Sequence, residues 1–339
     1  MAEHRQQFVI AGAGSIGCYV GGCLALSGCN VVFLARPRIA SILHRHGLNV
    51  TDLEGRSRAL EPTRLTVTDD PQAALRDASV VLVTVKSAAT EEMAGLVDRY
   101  APQDATVISL QNGVENAGRL QAAMQTHRTI LAGMVAFNVV MDDSGEGALS
   151  VHRATEGDVL IQDSAGQPAK LLSCDGLPVK SSSEIGAVLW GKLLLNLNNA
   201  INALSDLPLA TQLGDRSWRR LLATQMDEAL RVMEVHNIRP AKLAAVAPSL
   251  LPTILRLPNW LFQRLARRML AIDPKARSSM WEDLVRRRIT EIDEFQGAII
   301  RLGLASGTPT PVSTRIVNAI RDAEAAGVGP PGLKPDALS

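Results

Sequence analysis

The sequence predicts an α/β fold, with an N-terminal Rossmann-type doubly wound domain followed by a C-terminal all-helical domain. Three observations carry this. A short apolar run, residues 7–11, leads straight into Gly12-Ala13-Gly14-Ser15-Ile16-Gly17 and then into a helix of small residues, 18–27. Strand, G-x-G-x-x-G, helix is the context in which that spacing cradles a dinucleotide. Apolar, β-branched runs recur at 30–35, 80–85 and 106–110, as strands buried on both faces require. After Glu184 the strand signal fades and helical periodicity takes over. A length of 339 residues is enough for two cores. Residues 1–183 are assigned to the dinucleotide-binding domain and 184–326 to the helical domain. Residues 327–339, with Pro330, Pro331 and Pro335, are assigned to a mobile tail.

Taken in order, the first glycine permits a tight turn, the second lets a pyrophosphate approach the backbone, and the third lets helix and strand pack closely. The helix start then offers free N–H groups and a positive dipole end to phosphates. The plain alternative is a structural glycine turn. The second strand, 30–35, ends in Arg36-Pro37-Arg38, where NAD-preferring sites place an acidic residue. The donor fork of Arg36 suits a 2′-phosphate, so NADP is the expected cofactor, against a merely solvated basic turn. Residues 65–68 form a further strand. The runs 80–85 and 106–110 end in Lys86 and in Gln111-Asn112-Gly113, at the sheet edge where open α/β sheets bind ligands. Asn112-Gly113 is also a common turn pair. From 129 to 162 the pattern is strand-rich, with turn signals at 142–145 and 156–158, and predicts a meander extending the sheet. Residues 167–173 read as a short helix. Ser181-Ser182-Ser183-Glu184 is a capping-box pattern opening the next helix, and the domain boundary is placed there.

That next helix, 188–202, is uninterrupted by Pro and too apolar for a surface helix, yet it carries one Lys and four Asn. Lys192, Asn196 and Asn199 stand at i, i+4 and i+7, on one face. A Lys in so apolar a segment needs polar partners or its pKa falls by desolvation, which suits proton transfer to a substrate oxygen. The alternative is a Lys that snorkels to water beside capping Asn residues. Beyond it, 217–236, 258–271 and 278–304 read as helices. The Pro-punctuated stretch 240–274 could line a substrate cleft or a subunit interface. Ser279 and Asp283, read alone, are a helix start with exposed ion pairs.

Composition narrows the function classes. The formal net charge is +1, which points to neither nucleic acid nor a membrane surface. Aromatics are only 3%, too few for base-stacking platforms. Cys18, Cys23, Cys29 and Cys174 form no metal-ligand spacing, so no metal is expected. Three of them lie in or beside the first helix, where a small buried hydrophobe is the simplest role. No apolar run approaches the ~18 residues of a membrane span. The chain enters its first strand without a basic-then-apolar leader, and the expected setting is cytoplasmic.

Gly12-Ala13-Gly14-Ser15-Ile16-Gly17, Val85-Lys86, Gln111-Asn112-Gly113, Trp190-Gly191-Lys192-Leu193-Leu194-Leu195-Asn196, Ser278-Ser279-Met280, Thr290-Glu291-Ile292-Asp293 and Gly307-Thr308-Pro309-Thr310-Pro311 occur in that order. As an ordered set they resemble the ketopantoate reductase (2-dehydropantoate 2-reductase) family, over residues 7 to about 320. The resemblance implies NADPH-dependent reduction of 2-dehydropantoate to pantoate, a step towards pantothenate, with the active site in a cleft between the domains. It implies Lys192 as general acid, and Asn196 and Ser279 as substrate-binding residues. It implies cofactor contacts from the glycine turn, Arg36, Lys86 and Asn112, with Asn112 also near substrate. Glu291 would stand where cofactor and substrate meet, and Glu228 matches an acidic residue on the next helix. The family often has a second substrate Asn eight residues after the Lys, but here that position is Ala200. Asn199, about 20° from Lys192 around an ideal helix axis, and Asn202, if a bulge brings it round, are both candidates for its role. The resemblance leaves a homo-oligomer open. Other readings are an NADP-dependent β-hydroxyacid dehydrogenase, a reductase of another branched 2-oxo acid, and a non-catalytic NADP-binding sensor.

Overall fold

A computed structural model describes residues 6–143, 147–163, 166–243, 246–265 and 275–338. It divides into two units, Met1–Ile185 and Gly186–Ser339. In the first, the strands are β1 (Gln7–Ala11), β2 (Asn30–Leu34), β3 (Leu48–Thr51), β4 (Ser57–Leu60), β5 (Thr66–Thr68), β6 (Val80–Val83), β7 (Thr106–Ser109), β8 (Ile130–Val135), β9 (Val139–Asp142), β10 (Leu149–Arg153), β11 (Val159–Gln162) and β12 (Val179–Ser182). Its helices are α1 (Ser15–Leu26), α2 (Pro37–His46), α3 (Pro71–Leu75), α4 (Thr90–Tyr100), α5 (Asn116–Ala123) and α6 (Gln167–Leu172).

The main sheet runs β12-β11-β8-β7-β6-β1-β2-β5. From β5 to β8 every pairing is parallel, β11 is antiparallel to β8, and β12 is parallel to β11. The continuous apolar runs have a direct explanation. Phe8 and Ile10 of β1, with Val80 and Leu82 of β6, enter the core beneath α1 and α2. Their alternating neighbours Val9, Ala11, Val81 and Val83 enter a second core against α3, α4 and α5. A strand covered on both faces has no polar side to show.

The expected meander over 129–162 is corrected. Only β8 and β11 join the main sheet. Strands β9 and β10 pair with each other, and β10 runs parallel to β3, giving a separate four-stranded sheet, β4-β3-β10-β9. Leu149 and Val151 of β10 and Leu48 and Val50 of β3 are buried while their neighbours are not, the alternation of a sheet covered on one face. That face lies on α1. A Cβ at Gly22 would come within 2.7 Å of Val50, and one at Gly21 within 2.7 Å of Ile10. The small residues of α1 thus let it fit between two sheets. The turn signal at 142–145 lies partly outside the described residues.

The second unit is helical. The expected helix over 188–202 is two helices, α7 (Ile185–Asn196) and α8 (Asn198–Ser205). The Leu197 carbonyl at the break is taken by Gln296 Nε2, 2.9 Å away. The capping box is also corrected: Ser181 and Ser182 are paired in β12, and Ser182 Oγ accepts from the Glu184 N–H. Next come α9 (Leu209–Gly214), α10 (Arg216–Val235), α11 (Leu251–Leu255) and α12 (Asn259–Leu265). Residues 266–274, which include the end of the expected helix over 258–271, lie outside the described residues. The expected helix over 278–304 is broken into α13 (Ser279–Val285) and α14 (Ile292–Ser306), with Arg287 at φ 52° between them. Last is α15 (Pro311–Ala326). The tail assigned to mobility is instead packed: Leu333 N–H donates to Leu204 O at 2.8 Å, and Leu338 is buried.

Candidate functional site

In the first unit the glycine turn is built as the G-x-G-x-x-G spacing requires. Gly12 has φ +116°, and a Cβ there would stand 2.7 Å from Val85 N. A Cβ at Gly17 would run into the carbonyl oxygen of Gly12 and approach Thr84 Oγ1 to 2.7 Å. Gly14 is different: a Cβ there would meet nothing within 4 Å. It is the N-cap of α1, whose first turn, opened by Ser15 and Ile16, holds no acidic residue. Open space over a helix start is what a pyrophosphate needs, so the turn fits a dinucleotide. Gly12 and Ala13 N–H both donate to Leu34 O, at 3.2 and 3.3 Å, tying the turn to the end of β2. There Arg36 is exposed and N-caps α2, with Arg38 two residues on, in an ion pair with Asp143.

Lys86 and Asn112 follow β6 and β7 at the same sheet edge, Lys86 exposed and Asn112 partly buried. A buried polar network joins the two loops. Gln111 Nε2 donates to Val85 O at 3.1 Å and Thr90 Oγ1 at 2.8 Å. Thr90 Oγ1 donates to Asn116 Oδ1 at 3.0 Å, and Asn116 Nδ2 to Ser87 Oγ at 2.9 Å and Asn112 O at 2.5 Å. A fully satisfied network of this kind fixes loop backbone. The sequence reading missed it, although Gln111 stood in the motif it singled out.

In the second unit, Lys192 is partly buried on α7, and burial draws its ammonium pKa from 10.5 down to about 8, opposed by the charge of Glu291. Glu291 is itself partly buried, at the N-cap of α14. Lys192, Asn196 and Asn199 are all partly exposed, while Leu193, Leu194, Leu197, Ala200 and Ile201 are buried. The i, i+4, i+7 stripe thus keeps partial access across the break at Leu197. One residue before the Lys, a Cβ on Gly191 would sit 2.5 Å from Ala241 O. Ala241 N–H donates to Ala187 O at 2.7 Å, so the segment after α10 lies directly on the Lys helix.

Asn202 is corrected from substrate contact to scaffold. It is fully buried; its Nδ2 donates to Leu207 O at 2.9 Å and Gln212 Oε1 at 3.4 Å, and its Oδ1 accepts from Ser278 N–H at 2.9 Å. Ser278 N-caps α13 through Trp281 N–H and donates its own Oγ–H to Asn199 O at 2.8 Å. These bonds hold the exposed Ser279 at the first position of α13. Ala200, fully buried, offers no polar group in place of an Asn. Glu228 also serves the frame: it is buried and accepts from Val312 N–H, Ser313 N–H and Ser313 Oγ–H at 2.7, 2.9 and 3.0 Å, capping α15. Among the described residues no group of three or more His, Cys, Asp or Glu could hold a metal, and no helix is long and apolar enough to cross a membrane.

Comparison with known proteins identifies the family of both units. Residues 8–166 match the family described as "Ketopantoate reductase PanE/ApbA", and residues 184–324 match its C-terminal counterpart. A 2-dehydropantoate 2-reductase of Archaeoglobus fulgidus is 26% identical over 324 residues, 94% of this chain and 98% of that protein. A solved PanE/ApbA family ketopantoate reductase from Ralstonia eutropha JMP134 superposes with a TM-score of 0.79 at 27% identity, over 95% of this chain and 99% of its own. D-mandelate dehydrogenase, solved with NADH and anilino(oxo)acetate, shares the fold at TM-score 0.78 and 21% identity, over 95% and 99% of the two chains. With both halves matched, the chain belongs to the ketopantoate reductase family, an oxidoreductase family that uses a nicotinamide cofactor.

Proposed function

We propose that this chain reduces 2-dehydropantoate to pantoate with NADPH, and that Lys192 donates the proton. The observation that carries the reading is Lys192 itself, an ammonium group in an apolar helix with its pKa drawn to about 8. Near neutral pH such a group is still charged but gives up its proton readily, which suits a donor to a developing alkoxide. Bound reduced nicotinamide supplies the hydride. The first unit would hold it through Gly12, Ala13, Gly14, Ser15, Ile16 and Gly17, through Arg36 at a 2′-phosphate, and through Lys86 and Asn112. In the second, Asn196, Asn199 and Ser279 orient the 2-oxo acid by hydrogen bonds, and Glu291 keeps Lys192 charged against the pull of burial. Asn202 acts one step back, through Ser278.

A second reading is favoured by one observation. Ala200 is apolar and buried and the Asn202 amide is engaged, so the far end of the substrate has fewer polar partners than the family pattern offers. That fits another branched 2-oxo acid. A non-catalytic sensor would have no use for a depressed-pKa Lys. The test is NADPH and NADH oxidation with a panel of 2-oxo acids. Highest kcat/KM with 2-dehydropantoate and NADPH is expected. A branched acid lacking the hydroxyl as best substrate favours the second reading, and no turnover with any 2-oxo acid ends both.

A further inference from the structure

The small second sheet has no part in the reading above, yet it brings a carboxylate to the start of α2. Asp143, directly after β9, forms an ion pair with Arg38, the second residue of α2. The Asp143 side chain is only 11% exposed, against 56% for Arg38, so the carboxylate is built in and the guanidinium lies at the surface. The segment that carries Arg38 begins where β2 ends, and that end is bonded to the glycine turn through Leu34 O. A basic pair, Arg36 and Arg38, thus stands beside the dinucleotide turn, but half of it is already engaged. After β2 itself stands no acidic residue; the acidic group comes from the residue that follows β9 of the second sheet, about 105 positions along the chain from its partner.

We infer that Asp143 is a specificity-determining residue for the nicotinamide cofactor, restraining affinity for the 2′-phosphate through its ion pair with Arg38. The inference rests on the reading that Arg36 meets that phosphate. A guanidinium shared with a carboxylate has fewer donors and less net charge to give a phosphate. NADH, lacking that phosphate, has no such demand on the Arg38 donors. Asp143 sets the ratio of the two affinities and touches neither the hydride nor the proton.

The experiment is fluorescence titration of the full chain with NADPH and NADH, in wild type, Asp143→Asn, Arg38→Ala, the double variant and Arg36→Ala, with melting temperature recorded for each. Asp143→Asn is expected to tighten NADPH by about three- to tenfold, as an exposed ion-pair interaction acting on a phosphate of about two charges gives. NADH affinity should stay the same, and high salt should shrink the gain. In the Arg38→Ala background the gain should vanish, because the carboxylate acts through that side chain. A gain that survives without Arg38, an equal change for both cofactors, or no change overturns the inference. If Arg36→Ala weakens NADPH alone while Asp143→Asn is silent, only this inference fails. If Arg36→Ala changes neither cofactor, the 2′-phosphate reading fails and this inference with it.

Discussion

Replacing Lys192 by Met separates the chemistry of that side chain from its place in the core. Met keeps the length and apolar stem and removes the charge. In the folded protein burial lowers the ammonium pKa from 10.5 to about 8, with Glu291 already counted in its favour. Each tenfold loss of proton affinity is worth about 1.4 kcal/mol, so the charged Lys destabilises the native state by about 3 kcal/mol. The sign follows from the lowered pKa. Below about pH 8 both folded and unfolded chains carry the proton, and the penalty is fully present. Between about 8 and 10.5 the folded chain gives up the proton while the unfolded chain keeps it, so stability rises with pH and the penalty fades. Lys192→Met is therefore expected to melt higher than wild type at about pH 7, by roughly 5–10 °C for a unit of this size. The gain should shrink steadily towards about pH 10. The same variant should lose on the order of 10²–10⁴-fold in kcat, with NADPH affinity nearly unchanged. Melting curves across pH, with kcat and a cofactor titration, read all three. A variant no more stable than wild type near neutrality, or one whose advantage ignores pH, refutes the argument that burial strains this ammonium. Full turnover refutes its role as donor.

Arg36→Asp should weaken NADPH by about 10- to 100-fold, the loss of charge-assisted bonds to a phosphate, and leave NADH unaffected or improved; equal wild-type affinities for the two cofactors would sink the assignment. Gly191→Ala puts a methyl 2.5 Å from Ala241 O, which is backbone and must shift; a loss of about 1–3 kcal/mol is expected in thermal or urea unfolding, and an unchanged midpoint would mean that the segment yields freely. Asn202→Ala leaves Leu207 O and Ser278 N–H without their side-chain partner, at about 1–3 kcal/mol. Because Ser279 follows directly, KM for the 2-oxo acid should rise while NADPH affinity holds; a fall in stability with KM unmoved would make Asn202 structural only.

The main sheet was legible because its signal is local. A strand covered on both faces is apolar throughout, and a glycine turn must follow it at a fixed spacing, so β1, β2, β6 and β7 stand out one by one. The second sheet was not legible for the opposite reason. Its strands are short and half-polar, and β3 finds β10 about 100 positions later. What selects that pairing is a surface made by α1, where Gly22 admits Val50, and such a surface exists only after folding. The same holds for the break at Leu197. Periodicity runs through it unbroken, and the Gln296 amide that takes its carbonyl lies 99 positions away.

For the candidate site the division falls between residue type and partnership. Lys192, Asn196 and Asn199 could be read as a stripe because helical spacing is local, and their shared half-burial fits that spacing even across two helices. Asn199 and Asn202 could not be told apart in this way, because their chemistry is the same. Tertiary contacts separate them: Ser278 N–H, Leu207 O and Gln212 converge on the Asn202 side chain, whereas Ser278 takes only the backbone carbonyl of Asn199. An amide with both ends engaged inside a core is poorly placed to release them for a substrate, since each buried group left unmatched costs about 1–3 kcal/mol. Asn199, whose side chain keeps partial access, carries no such cost. The far end of the substrate therefore has Asn199 as its candidate amide, set three residues beyond Asn196 across the break at Leu197 and braced by the same serine that caps the helix bearing Ser279. A change at Ser278 should disturb both groups at once, whereas a change at Asn199 should disturb one.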